Sequence, residues 1–410
     1  MNDFKTDVLI IGAGPSGAVA AAYLHKQGFT VEVVEKCKFP RFTIGESLLP
    51  RCMEHFQEVD LLDCLKAKNF QVKKGARFLK EDKSCHFDFK EKYTNGWDWT
   101  WQVPRDEFDK TLTDELQKKG VSISFETEVI DIKFETNGSS TTKAISANGV
   151  KKNIHAKYVI DASGPGRVIP KLISEIQPAK SHGNASIFTH VKDIKRPKGE
   201  EGTLITFDVV NEKSWLWVIP FSNGDTSIGF VGPEVFIDSF SGNSSEKLQK
   251  LLKLSDYYYD RFKNCDFLFE PKQLKDFARP MGDLYGNGYV ITGNSAGFLD
   301  PVFSSGVTFA TESGLLAAKL ISDKLNGNIV DWNKDYENHL KQGVAVFKTY
   351  VDEWYSGNLQ KIFFNNTTSP DIKKQICSVL AGYVWDRSNP FVKNHRRLVT
   401  TLARFIDLNA

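Results

Sequence analysis

Residues Asp7-Val-Leu-Ile-Ile11 run directly into Gly12-Ala-Gly-Pro-Ser-Gly17, and this junction constrains the fold more than any other part of the chain. The apolar run reads as a central parallel strand. Residues 18–27 have helical composition, and 30–35 read as a second strand ending at Glu35. A lone GxGxxG is weak evidence. Here it follows a strand, opens a helix and is followed about 20 residues on by an acid, the context of a dinucleotide-binding turn. Gly12 permits the tight turn, and Gly14 lets the backbone approach a pyrophosphate. Gly17 lets helix and strand pack closely, Pro15 and Ser16 belong to the same cofactor-binding turn, and the N-terminus of the helix that follows donates N–H groups to the phosphates. Glu35 is placed to accept hydrogen bonds from ribose hydroxyls. The motif alone does not separate FAD from NAD.

The totals exclude several classes. A chain of 410 residues can bury a large core and divides into two or three units. A net charge of +2 gives no reason to expect a nucleic-acid partner. The six cysteines show no CxxC or zinc spacing, so no metal is expected, and reduced thiols suit a cytoplasmic protein. No apolar run approaches the roughly 20 residues that span a bilayer, and no secretory leader precedes the first strand.

Three further segments separate the two dinucleotides. Arg105 opens an amphipathic helix after a strand in "VPRDEFDKTLTDEL". "YVIDASGPG" (158–166) is a buried strand ending at Asp161 and a glycine-containing turn. "GYVITGNSAGFLDPVFSSG" (288–306) is a third apolar strand, a Gly-rich turn and a helix start. This order resembles the FAD fold of the p-hydroxybenzoate hydroxylase class of flavoenzymes. The expected fold class is therefore α/β. A discontinuous, Rossmann-like FAD-binding domain (1–60, 105–170 and 275–330) interleaves with a β-rich substrate domain (61–104 and 171–274), followed by a helical region (331–410).

Three stretches narrow the resemblance to the flavin-dependent halogenases, in the branch acting on pyrroles and phenols. They are "FPRFTIGESLLP" (39–50), "WLWVIP" (215–220) and "FLDPVFSSGV" (298–307). Trp215, Trp217, Ile219 and Pro220 fit the family's WxWxIP pattern, and Phe298, Pro301, Ser304 and Gly306 fit its FxxPxxSxG pattern. "KKGARF" (73–78) fits the segment of the catalytic lysine, which maps to Lys73. The resemblance implies that Arg41, Arg105, Asp161, Gly293, Asn294, Pro301, Ser305, Gly306 and Val307 join the glycine turn in holding FAD. It implies that reduced FAD and O2 oxidise a chloride or bromide held by backbone N–H groups near Ser304–Val307. Lys73 then hydrogen-bonds or captures the hypohalous acid and presents it to an electron-rich ring.

Alternatives stay open at several of these positions. On a strand Trp215 and Trp217 share a face, and they serve either as core or as a wall between flavin and organic substrate. Lys73 is either that catalytic amine or a solvated lysine beside Lys74. Two departures from the family stand out: Asn294 replaces the usual aspartate, and no acid is apparent near Lys73. Trp97, Trp99 and Trp101 read as strand residues lining or backing the substrate side, or as core. His86 is isolated and reads as structural. The basic amphipathic stretch "NPFVKNHRRLVTTLARFI" suits an acidic carrier protein bearing the substrate, or is an ordinary solvated face. With one GxGxxG, reduction is expected to depend on a separate flavin reductase or on transient NAD(P)H contact. The alternative functions are a hydroxylase or dehydrogenase/reductase acting on a hydrophobic substrate, and a non-catalytic FAD-binding redox sensor.

Overall fold

A computed structural model describes residues 2–173, 183–275, 281–297, 299–366 and 368–409. Phe298, the first residue of the second motif, lies outside them.

An eight-stranded sheet is built around the first strand, Asn2–Ile11. It pairs in parallel with Val31–Val34 on one side and with Lys151–Asp161 on the other, and the latter pairs in parallel with Tyr289–Ile291. The register aligns Ile11 with Val34 and Asp161, and Asp161 with Ile291. The carboxyl ends of four parallel strands therefore meet at one edge, where open α/β sheets bind their ligands. Val8, Leu9, Ile10, Val33, Val159, Ile160 and Val290 are inaccessible, as a sheet covered on both faces requires.

The first helix runs Pro15–Lys26, starting three residues before the expected position because Pro fits the first helical turn. Its approach to the sheet is very close: a Cβ on Gly17 would lie 2.0 Å from the Gly12 carbonyl oxygen. The long helix Gly306–Leu325 packs on it as tightly, since a Cβ on Gly314 would lie 2.4 Å from the Ser16 carbonyl oxygen.

The second sheet has seven strands, in the order Lys272–Lys275, Asn184–Lys192, Asp225–Pro233, Ser214–Pro220, Thr206–Asn211, Gly75–Lys80 and Lys83–Asp88. Ser214–Pro220, the Trp strand, lies at its centre and is buried along its whole length. Trp215, Trp217 and Ile219 pack with Val302, Phe303, Tyr350 and Trp354, while Leu216 and Val218 pack on the other face with Leu248, Leu251 and Phe262. Helices thus cover both faces of this sheet.

The indole of Trp217 is seated by an absent side chain. Gly229 is its cross-strand neighbour, and a Cβ there would lie 2.4 Å from the Trp217 ring and 2.6 Å from Phe188 Cβ. Gly229→Ala is therefore expected to lower stability by about 1–3 kcal/mol through overpacking, read as a shift in the urea midpoint.

A two-stranded ribbon, Gln71–Lys73 with Thr100–Gln102, sits apart from both sheets. Only Trp101 of the three alternating tryptophans is in a strand. Trp97, Trp99 and Trp101 instead form a chain of edge-to-face rings 5.2–5.3 Å apart, and Trp101 is core. From Asn338 onward the described residues are helical or in short connections. Pro370 and Pro390 each start a helix, at the first helical position, where the missing N–H costs nothing. Among the described residues no helix is long and apolar enough to cross a membrane.

Candidate active site

The glycine turn ends at the helix start, with Gly12 at φ +101. A Cβ on Gly12 would lie 2.5 Å from the Ala162 carbonyl oxygen, so that position is closed by packing. Gly14 differs. Its φ of −71 suits any residue, and the nearest atom to an added Cβ is Arg41 Nη2 at 3.6 Å. Protein packing does not require glycine there. The space in front of it lies between helix N–H groups and a guanidinium, which fits the pyrophosphate of a dinucleotide such as FAD.

Glu35 is buried, with Oε2 accepting from Ala13 N and Oε1 from Cys37 N, both at 2.9 Å. These bonds fix the carboxylate at the strand end and leave each oxygen a further lone pair for a hydroxyl.

Arg41 and Arg105 are held by a residue the sequence reading overlooked. Asp109 is inaccessible; it takes a two-pronged contact from Arg105 at 2.9 and 3.0 Å and a contact from Arg41 Nη1 at 3.1 Å. Arg105 Nη1 also donates to the carbonyls of Ile44 and Gly45. Two cations share one anion, leaving net positive charge beside Gly14. The i,i+4 spacing of Arg105 and Asp109 was a visible signal for half of this arrangement.

Asp161 stands at the same sheet edge, but its oxygens face its own turn. Oδ1 accepts from Ser163 N at 2.9 Å and from Ser163 Oγ, and Oδ2 accepts from Ile169 N at 2.7 Å. Its carboxylate shapes the loop. Gly293 sits at φ +55, its N–H donating to Ser313 Oγ at 2.8 Å, which ties the next turn to the long helix. Ser16 Oγ donates to Thr292 Oγ1 at 2.8 Å across the same junction. Asn294 is half-buried and follows directly.

Pro301–Phe303 forms a single turn, and Ser304 reverses the chain at φ +56 so that the helix begins at Gly306. Ser305 and Val307 are buried, and Thr308 Oγ1 is buried without a partner. The first N–H groups of this helix have no intrahelical acceptor, and its dipole is positive at this end.

Lys73 ends the ribbon strand Gln71–Lys73 and is 2 % exposed, whereas Lys74 is exposed. The solvated reading of Lys73 is therefore wrong, and the reason lies in the segment 39–50. Lys73 Nζ donates to Ser47 Oγ and to the Leu48 carbonyl, both at 2.8 Å, and lies 5.5 Å from the Phe89 ring centre. Burial pulls its pKa from 10.5 down to about 7. Its one electrostatic partner there, Cys52, is itself pushed up to about 12 by burial and stays neutral. The missing acid is replaced by two neutral acceptors.

The segment that holds Lys73 and the helix start both reach Gly382, through Leu49 and Thr308. A Cβ on Gly382 would lie 3.4 Å from both Leu49 Cβ and Thr308 Cγ2. Trp215 and Trp217 belong to the same core cluster as Val302 and Phe303, which precede the helix start. Their ring N–H groups are satisfied, by Tyr355 Oη at 3.2 Å and by Ser227 Oγ at 3.0 Å. The dinucleotide turn, arginine pair, helix start and buried amine thus come from five separate stretches of chain.

A flavoenzyme is what this fold and its dinucleotide turn define, and the relatives are flavoproteins. A model of the FAD binding domain family matches residues 5–234. The crystal structure of a flavoprotein/dehydrogenase from Cytophaga hutchinsonii is 49% identical, with a TM-score of 0.96 over 99% of each chain. A 1H-pyrrole-2-carbonyl-[peptidyl-carrier protein] brominase of Pseudoalteromonas luteoviolacea is 26% identical over 94% of each chain. A flavin-dependent halogenase of Armillaria mellea is 30% identical over 80% of this chain and 69% of its own. The chain belongs to the FAD binding domain family and, within it, to the flavin-dependent halogenases. It is an FAD-dependent oxidoreductase.

Proposed function

We propose that this protein halogenates an electron-rich aromatic ring, with Lys73 as the residue that receives and delivers the halogen. The observation that carries this reading is the bonding of Lys73 Nζ. Its two acceptors, Ser47 Oγ and Leu48 O, match the two hydrogens of a neutral amine and leave the lone pair uncommitted. A pKa near 7 keeps a large fraction of that amine neutral at physiological pH.

When bound and reduced, FAD supplies with O2 the two-electron oxidation that turns halide into an electrophilic halogen. Gly14, Glu35 and the Arg41–Asp109–Arg105 group hold and orient it. The helix start at Ser304–Val307 and the partnerless Thr308 Oγ1 receive the halide. The Lys73 lone pair attacks the halogen of hypohalous acid, water leaves, and the N–X bond passes its halogen to the ring, which loses a proton. Trp215 and Trp217 belong to the core and also wall the ring off from the flavin. The domain division given by sequence belongs to the same proposal, with a dinucleotide-binding part (1–60, 105–170 and 275–330), a substrate part (61–104 and 171–274) and a helical region (331–410).

The substrate is proposed to be a pyrrole or phenol, carried on a carrier protein as the name of the Pseudoalteromonas relative specifies for that enzyme. The exposed Lys393, Arg396, Arg397 and Arg404 on and beside the helix His395–Leu408 suit an acidic partner. A second reading, dehydrogenation of a hydrophobic substrate, is favoured by the Cytophaga relative. Halide dependence of the product separates the two.

The amine makes a pH prediction. Halogenation by the neutral form rises with pH through an apparent pKa of about 7 and then levels off. The same shift affects stability. Below pH 7 the folded chain must hold a buried ammonium that the unfolded chain leaves in water. That penalty is full there and fades as pH rises from about 7 toward 10.5. Lys73→Met is accordingly expected to raise the melting temperature below pH 7, and progressively less above it. Single-turnover rates across pH, set beside thermal melts, check both statements.

A further inference from the structure

The two halogenase-like motifs are joined by a residue from neither. Trp215 Nε1 donates to Tyr355 Oη at 3.2 Å, and Tyr355 Oη donates to Asp300 Oδ2 at 2.9 Å. Asp300 Oδ1 accepts from Val302 N at 3.0 Å, capping the turn Pro301–Phe303 that sets up Ser304 and the helix start. Tyr355 is the last residue of the helix Asn338–Tyr355. That helix end is anchored: the preceding Trp354 is 1 % exposed and packs against Phe303 at 5.9 Å and Phe78 at 5.4 Å. The hydroxyl therefore spends its proton on a carboxylate and a lone pair on an indole, from segments 55 and 140 residues away.

We infer that Tyr355 is a positioning residue: it locks the Trp215 indole to the 300–306 turn, so that barrier and helix start keep a fixed separation. The inference rests on the function proposed above. Burial and the Asp300 carboxylate hold the Tyr355 phenol protonated well beyond neutral pH, so the lock stays closed wherever the enzyme works. Without it, Trp215 retains its packing against Phe207 and Trp217 but loses its tether to the turn.

Tyr355→Phe deletes one hydroxyl from a packed ring. In FAD-loaded protein, reduced and mixed with O2, bromide and resorcinol, three quantities are read: hydrogen peroxide released per reduced FAD, bromoresorcinol formed, and FAD affinity. The peroxide-to-product ratio is expected to rise about fivefold, the equivalent of one net hydrogen bond, with FAD affinity unchanged. Trp215→Phe opens the same tether from its other end and gives the same rise. The double variant is no worse than the worse single, because both act through one contact. Tryptophan emission of the FAD-free protein shifts in Tyr355→Phe, and far less when Trp215 is already Phe. An unchanged ratio in either single variant, or effects that multiply in the double, overturns the inference. Should wild type make no bromoresorcinol, the proposed function is at fault, and the emission cycle still decides the tether: no Trp215-dependent shift would reject it.

Discussion

Lys73→Ala leaves FAD binding and O2-dependent oxidation of reduced FAD intact while halogenated product falls about 10²–10⁴-fold, the range for removing a positioned reacting group. The separation is expected because Lys73 lies outside the dinucleotide turn. Its contacts are Ser47, Leu48 and Phe89, and none of these belongs to the Gly12–Gly17 segment. Hypohalous acid formed at the helix start then has no amine to meet and diffuses away. Lys73→Arg is expected to fail as completely, since a guanidinium stays charged and offers no lone pair. Lys74→Ala serves as the internal control: its side chain is exposed and should retain most activity. Product quantified by liquid chromatography against flavin turnover measures all three.

Gly14→Val has the second largest expected effect, and it falls on binding. Among the described residues an added Cβ at this position meets nothing closer than Arg41 Nη2, the end of a flexible side chain, at 3.6 Å. The variant should fold and melt close to wild type. The valine methyls would occupy the space in front of the helix start, where the pyrophosphate must approach. FAD affinity is expected to fall at least about 100-fold, equivalent to about 2.7 kcal/mol. Gly17→Ala is the contrasting case. It places a Cβ 2.0 Å from a backbone oxygen and should damage folding itself. Flavin titration followed by fluorescence, together with circular dichroism, separates the two outcomes.

The dinucleotide turn was legible because it is local. Strand, glycines, helix and acid all lie within one βαβ unit, and the close approach at Gly17 is met within it; only the packing against Gly12, from Ala162 and Ser163, comes from the turn after a distant strand. The burial of Lys73 was not legible. A lysine beside another lysine on a three-residue strand reads as solvent-facing, and the groups that cover it lie 25 and 26 residues earlier. The seat of Trp217 depended on Gly229, which looks in sequence like any strand glycine. Asp161 shows a different limit of the sequence. An acid at a strand end suggested a ligand, yet its oxygens serve the turn after its own strand. Asp109 was half visible, through its helical spacing to Arg105; the contact from Arg41 arises only when the segment 39–50 folds back.

The most direct test of the central claim is the product formed by wild-type protein. FAD-loaded enzyme, reduced chemically and mixed with O2, is offered phenol, resorcinol or pyrrole-2-carboxamide with and without bromide, and the rings are analysed by mass spectrometry. The account predicts a ring bearing the isotope doublet of bromine, formed only with bromide and absent in Lys73→Ala. Consumption of reduced FAD without any brominated ring, accompanied by a hydroxylated or dehydrogenated product that does not depend on halide, would contradict it.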